Sequence, residues 1–336
     1  MAAPDLSSRP PSIVPGVPAP GTPDSRHRNA VLAALSDSPA ALIGTGLLAL
    51  FAVVAVVGPF VAPYNPSQLM VGPSTGAPSA QHWLGTTQLG QDIFSQLLVG
   101  TRASLEMAVG AGLLTNVIAV TVGLTAGYVR GWVDDILSTL ANVFLIIPAL
   151  PLLILISTYA AAFGVRGTTV TAVVVALVGW PWGARAFRAQ MLSLRNRDFV
   201  MAARVSGESQ FRIIYSEIMP NMLSIIVANV IFATLAALVA EVGLEFIGLG
   251  DTSQVTWGTM LYWAQTNAAL LNGAWFWFVP PGLAIGLFAV GLVLTNYAID
   301  EITNPRLRTL RAMPAPAPEP IQPQAESTIG DSSTIA

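Results

Sequence analysis

The side chains that could do chemistry are few, and the missing ones narrow the field first. The sequence contains no cysteine, which excludes disulfides, thiolate metal sites and cysteine nucleophiles. It also contains no lysine, so a P-loop of the form G-x-x-x-x-G-K-[ST] cannot exist here. Any ATP that serves this protein must be bound by another chain. His27 and His82 are the only histidines, and neither has a metal-like spacing to a second ligand, so no metal, cofactor or catalytic residue is expected. That leaves charges inside apolar runs, which cost about 2.5–3.5 kcal/mol each at a membrane centre and are therefore functional candidates. Glu106 sits one turn into such a run and can reach the interface. Glu241 and Glu245 are four apart on one helix face at the outer end of another run. They are candidates to line an aqueous vestibule, with Asn142 on a third run as a further path residue.

One polar interruption between apolar blocks is the stretch from Arg197 to Asn221. It does not read as a loose linker. Asp198 is placed to cap a short helix, with Phe199 at the first helical position. Ala202, Ala203 and Arg204 favour helix, and Gly207 is placed to end it in a left-handed conformation that a Cβ would penalise. Ser209 starts a second short helix through Phe211, Ile213, Ile214 and Ile218, and Pro220 marks the beginning of the next apolar block. The reading is helix, glycine, helix: a rigid knob held close to a membrane.

The elements that must position these residues are membrane helices. Of 336 residues, 53% are hydrophobic and 10% charged, with mean hydropathy +0.64. Soluble domains carry about 25% charged residues. Residues 1–38 and 305–336 are rich in Pro, Ser, Gly or Ala and read as disordered tails around a membrane domain at 39–304. Apolar runs at about 40–62, 103–127, 136–160, 168–187, 221–246 and 278–299 are each long enough to cross a bilayer core of about 30 Å. An all-α integral membrane protein of six spans results, with both termini on one side. Thirteen of the fifteen arginines fall on that side: Arg9, Arg26, Arg28, Arg130, Arg185, Arg188, Arg195, Arg197, Arg204, Arg212, Arg306, Arg308 and Arg311. Only Arg166 and Arg102 fall opposite. The positive-inside rule therefore places the termini and the knob in the cytoplasm of a multi-pass cell-membrane protein. Residues 251–277 carry Trp257, Met260, Leu261 and Ala264 at helical spacing, and predict a short helix lying on the outer membrane surface. The net charge of −3 gives no argument for nucleic acid.

The knob resembles the "EAA" loop of permease subunits in bacterial ABC importers: Met201-Ala202-Ala203, then Gly207, then Met219-Pro220-Asn221. Further strings are similar to the dipeptide/oligopeptide/nickel branch of that family. They are Leu84-Gly85-Thr86, Leu89-Gly90-Gln91-Asp92, Leu97 to Arg102, Ala126-Gly127-Tyr128, Gly131-Trp132 with Asp134, Glu241 to Gly250, and Trp257 to Leu261. The resemblance runs from about residue 40 to 308. Ser206 to Gln210 also echoes the signature of ABC ATPases, but without a lysine-bearing P-loop it reads as coincidence.

The resemblance implies the type I importer permease fold, with a coupling helix between spans four and five built from Asp198, Met201, Ala202, Ala203, Arg204, Gly207 and Pro220. It implies a second homologous permease chain, two ATPase domains that carry ATP and Mg, and an extracytoplasmic solute-binding protein. Peptide is the implied solute, with nickel or another small solute left open. Two departures stand out. The usual Glu is Met201, and the usual Arg and Asp of the third span are Thr139 and Asn142, a charge pair removed together. A self-sufficient secondary transporter, the rival class, needs coupling-ion sites near the midplane and often matched broken helices. The sequence shows neither a central charge nor an internal repeat.

Overall fold

The computed structural model describes residues 39–165 and 167–303. The two expected tails and Arg166 lie outside them. The described chain is helical, with an isolated bridge between Thr86 and Asp92. Helix α1 spans Pro39–Val61 and α2 spans Ile93–Val129. A bent pair follows, α3 at Trp132–Ile146 and α4 at Ala149–Ala162, and then α5 at Thr168–Leu194. The knob holds α6 at Asp198–Val205 and the short α7 at Gln210–Arg212. Beyond it come α8 at Leu223–Phe246, α9 at Trp257–Thr266 and α10 at Trp275–Thr303. Among the described residues, five helical stretches are long and apolar enough to cross a membrane, or six if the bent pair is one span.

Three expected spans change shape, each for a local reason. The second begins ten residues earlier than its apolar run, because Asp92 caps it: its carboxylate accepts from Ser95 N at 2.8 Å and from Ser95 Oγ at 2.7 Å. The third is broken by 93° between α3 and α4. Pro148 has no N–H to give and biases Ile147 away from helical geometry, and Ile147 is extended at φ −73°, ψ 126°. The fifth does not start cleanly at Pro220. Residues Ile213–Ile218 wind as a π-helix and Met219–Met222 as a 3₁₀ turn before α8 begins.

Helix α2 is the centre of the molecule, packed against α1, α5 and α8. Its most extensive packing is against α5, and the Gly123/Gly127 pair lets the two backbones approach. A Cβ on Gly123 would stand 2.5 Å from the Ala184 carbonyl oxygen, and one on Gly127 would stand 2.7 Å from Met191 Cβ. Small residues let two backbones meet where lipid offers no hydrophobic drive for association. Asn229 Nδ2 donates to Asn116 Oδ1 at 2.8 Å, a polar tie between α8 and α2.

The short helix expected on the outer membrane surface is instead part of the bundle. Trp257 is fully buried, with its backbone N–H donating to Ser104 Oγ at 2.9 Å and its Nε1 to Thr101 Oγ1 at 3.2 Å. Its ring meets Phe51 edge-on at 5.6 Å. A helix lying in the interface would leave one face free. Here Met260, Leu261 and Ala264 are also buried, against neighbours that include Ile93 and Phe276.

Candidate functional site

The knob is anchored from below by a small number of side chains. Val200 on α6 is fully buried in a cluster with Met191, Ile213, Ile214, Ile218 and Met222. Arg204 reaches across to α2, with its Nε donating to Tyr128 Oη at 3.3 Å and its guanidinium 5.1 Å from the Tyr128 ring centroid. Arg195, just before α6, donates from Nη1 to the carbonyls of Gly127 and Tyr128 at 3.2 Å each. Those carbonyls belong to the last turn of α2, whose unsatisfied acceptors favour a cation. Nearby, Arg188 grips Asp134 with both arms, Nε to Oδ1 at 2.6 Å and Nη2 to Oδ2 at 2.8 Å. Ser138 Oγ adds a bond to Asp134 Oδ1 at 2.9 Å. The ends of α2, α3 and α5 are thus tied into one base for the knob.

Gly207 adopts φ +78°, the left-handed conformation the sequence implied. The chain turns there with Glu208 N donating to the Ala203 carbonyl at 3.2 Å and Gly207 N to Arg204 O at 3.0 Å. Among the described residues, apart from its chain neighbours, no atom lies within 4 Å of where a Cβ would be. Backbone strain, not crowding, is therefore what a side chain meets inside this chain. Ser209 caps the second segment, accepting from Arg212 N at 3.3 Å, and Arg212 pairs with Glu208 at 3.2 Å.

The first cap differs from expectation. Arg197 occupies the N-cap position without a side-chain bond, and Asp198 is the first helical residue. Asp198 still places a carboxylate in the first turn, where the helix dipole favours it. Met201 becomes the fourth helical residue, so a Glu there cannot close a capping box with Asp198. The third position is Val200, which is committed to the core. Sequence reasoning missed Val205 and Phe211 on the outer surface of the knob. Val205 is 89% exposed, Phe211 71% and Met201 49%, and Ala202 and Pro220 are exposed beside them. Apolar residues inside a polar stretch between two spans were the available signal.

The candidate path residues do not come together. Glu241 and Glu245 are 1% and 4% exposed, enclosed between α8 and its neighbours. Glu245 accepts from Thr256 Oγ1 and packs on Gly258, locking the start of α9 to the end of α8. Both carboxylate oxygens of Glu241 are enclosed without a hydrogen-bond partner among the described residues. The pair thus faces packed helices in this chain. A four-residue spacing identifies a shared face but not what that face meets. Thr139 and Asn142 are both exposed on α3, and Asn142 borders a cavity of about 440 Å³ between α2, α3 and α5. A second cavity of about 440 Å³ lies at the α3–α4 break, lined by Phe144, Pro148, Val178, Trp182, Asn229 and Phe232 among others.

Residues 119–309 match the family described as binding-protein-dependent transport system inner membrane component, and residues 29–78 match the N-terminal membrane domain of oligopeptide transport permease C. The chain is 31% identical over 277 residues to the dipeptide transport system permease protein DppC of Bacillus subtilis, covering 82% of this chain and 84% of that one. It is 31% identical over 288 residues to the oligopeptide transport system permease protein OppC of Mycobacterium tuberculosis, covering 85% and 97%. Among solved structures, the MetNI methionine ABC transporter aligns with TM-score 0.44 and 19% identity, covering 65% of this chain and 95% of that one. The chain is a non-catalytic, multi-pass permease component of the inner membrane, and it belongs to the binding-protein-dependent transport family.

Proposed function

We propose that this chain is one of two permease subunits of an ATP-driven importer of di- and oligopeptides, and that the knob at 198–222 is its coupling element. The observation that carries this reading is the knob's outward apolar surface. Val205 and Phe211 are largely exposed on a rigid helix–glycine–helix, rimmed by Arg204, Glu208 and Arg212. A soluble face with large exposed apolar residues framed by charge is the signature of an interaction site. The partners of this reading are two ATPase domains that bind ATP and Mg and receive the knob in a groove. Closure of the ATPase pair pushes the knob. The ties at Val200, Arg204 and Arg195 pass that motion to α2 and α5, a stiff lever acting on a bundle. The central path then opens outward to accept solute from the binding protein, and hydrolysis resets it.

The α3–α4 break supports a second permease subunit. Ile147 is 40% exposed, and Pro148 and Ala149 are exposed as well. Unwound backbone is not tolerated against lipid and occurs at membrane depth only where protein or water covers it. That face is therefore this chain's wall of the path, completed by the second subunit. The orientation follows the arginines, with the knob and both termini cytoplasmic. Peptide as solute follows the relatives, since DppC and OppC carry dipeptide and oligopeptide transport in their names.

Reconstituted transporter should take up labelled dipeptides, and unlabelled di- and oligopeptides should compete while nickel chelates do not. Competition by the chelate alone would move the solute to the nickel branch and leave the permease assignment intact. Because the chain has no cysteine, topology is testable without background. An impermeant thiol reagent should label Ser74→Cys and Ser253→Cys in intact cells, but not Ser209→Cys. Labelling at Ser209→Cys would invert the orientation and remove the docking site.

A further inference from the structure

The cavity between α2, α3 and α5 holds a charge that its own chain does not answer. Arg188 and Arg185 both line it, three residues apart on α5. Arg188 is committed to Asp134, whose two oxygens it occupies. Arg185 is exposed, and no ion pair or hydrogen bond engages it among the described residues. Asp135 is the next acid along α3, but it is not part of the lining. The rest of the wall is neutral: Ser138 and Asn142 supply hydrogen-bonding groups, and Val122 and Leu137 supply apolar surface.

Depth fixes what can reach this charge. Trp132 is 74% exposed at the start of α3, two residues before Asp134, where an amphipathic ring marks a membrane interface. The Asp134–Arg188 pair ties α3 to α5 at that level. Arg185 lies about 4.5 Å deeper along α5. A guanidinium just inside the interface, over an apolar wall, suits an anion that carries its own hydrocarbon. Basic pockets between membrane helices hold lipid headgroups in this way.

We propose that this cavity is a binding site for an anionic phospholipid, with the phosphodiester on Arg185 and Asn142 and an acyl chain along Val122 and Leu137. The guanidinium fork matches a phosphate geometrically, which an ammonium does not. The assignment stands independently of which solute the transporter carries.

The test uses the complete transporter, purified with its partner subunits and washed in neutral detergent. Retained phosphatidylglycerol is then measured by mass spectrometry. The parent should keep it, and Arg185→Gln should keep about fivefold less, the factor one arginine is worth at an anionic membrane surface. Arg185→Lys should restore part of the loss. Phosphatidylglycerol, unlike phosphatidylcholine, should raise the thermal stability of the parent, a measure that needs no variant. Millimolar inorganic phosphate should not displace the lipid. Equal retention in Arg185→Gln, or equal stabilisation by both lipids, overturns the proposal. Displacement by inorganic phosphate would assign the cavity to the free anion. Loss of labelled-peptide binding in Arg185→Gln without loss of lipid would make the cavity part of the solute path. Either of those results also overturns the lipid assignment.

Discussion

The two ends of this molecule interrupt its helices in opposite ways. At the knob end, a polar stretch exposes apolar side chains: Val205 and Phe211 face outward, and Val200 alone of α6 is fully buried. At the other end, residues 62–92 and 247–274 bury polar ones. Asp92 is 1% exposed, bound to Ser95 and to His82 Nδ1 at 2.9 Å, and Thr86, Thr256 and Thr259 are equally enclosed. A buried polar network is rigid when every member is satisfied, and it needs no partner. An exposed apolar surface on a stiff support does need one. One end is self-contained, and the other is built to be held.

That contrast predicts where substitutions cost stability and where they cost assembly. The largest stability effect should come from Trp257→Ala, which empties a fully buried aromatic site and removes the indole hydrogen bond to Thr101 on α2. About 3–5 kcal/mol is expected, read as a fall in the thermal midpoint of purified protein. Asp92→Ala should follow at about 2–3 kcal/mol, because it uncaps α2 and leaves His82 and Ser95 without their acceptor. If Asp92→Ala were neutral, the self-contained end would not be held by its polar network.

Phe211→Ala should reverse the pattern. Stability should stay within about 0.5 kcal/mol, as for exposed sites generally, while co-purification of the ATPase subunits falls sharply. Retained assembly in Phe211→Ala and Val205→Asp together would mean the apolar surface is incidental. The smallest effect belongs to Met201→Glu. Its side chain is exposed three residues before Arg204, so a carboxylate would compete with Tyr128 for the guanidinium. A change of at most about 0.5 kcal/mol is expected.

The sequence showed the helical membrane architecture because long apolar runs and one-sided arginines are properties of local composition. Gly207 was legible for the same reason, since a glycine after a short helix has a local meaning. What was not legible depended on partners distant in sequence. Trp257 looked like an interfacial aromatic until Ser104 and Thr101 were found across from it. Glu241 and Glu245 were placed on one face by spacing, but their enclosure depends on where α9 folds back. The break at Pro148 is masked in the sequence because its flanks are both strongly apolar and together are long enough for one span. The Asp198 cap slipped by one residue, which moved Val200 to the third helical position and Met201 to the fourth.

Gly207→Arg tests the coupling role most directly. The residue lies outside the long helices, its φ is +78°, and no neighbour in this chain contacts the position of a Cβ. Insertion and abundance should therefore be normal, with a local backbone penalty of about 1 kcal/mol or more. The arginine would project from the outer surface of the knob into whatever receives it. Abundance, ATPase co-purification and peptide uptake should be measured in the same membranes. The account predicts normal abundance, weakened co-purification and lost uptake, with Gly207→Ala milder in both of the last two. A Gly207→Arg protein that assembles and transports at the parental rate would contradict it and reduce the knob to a linker.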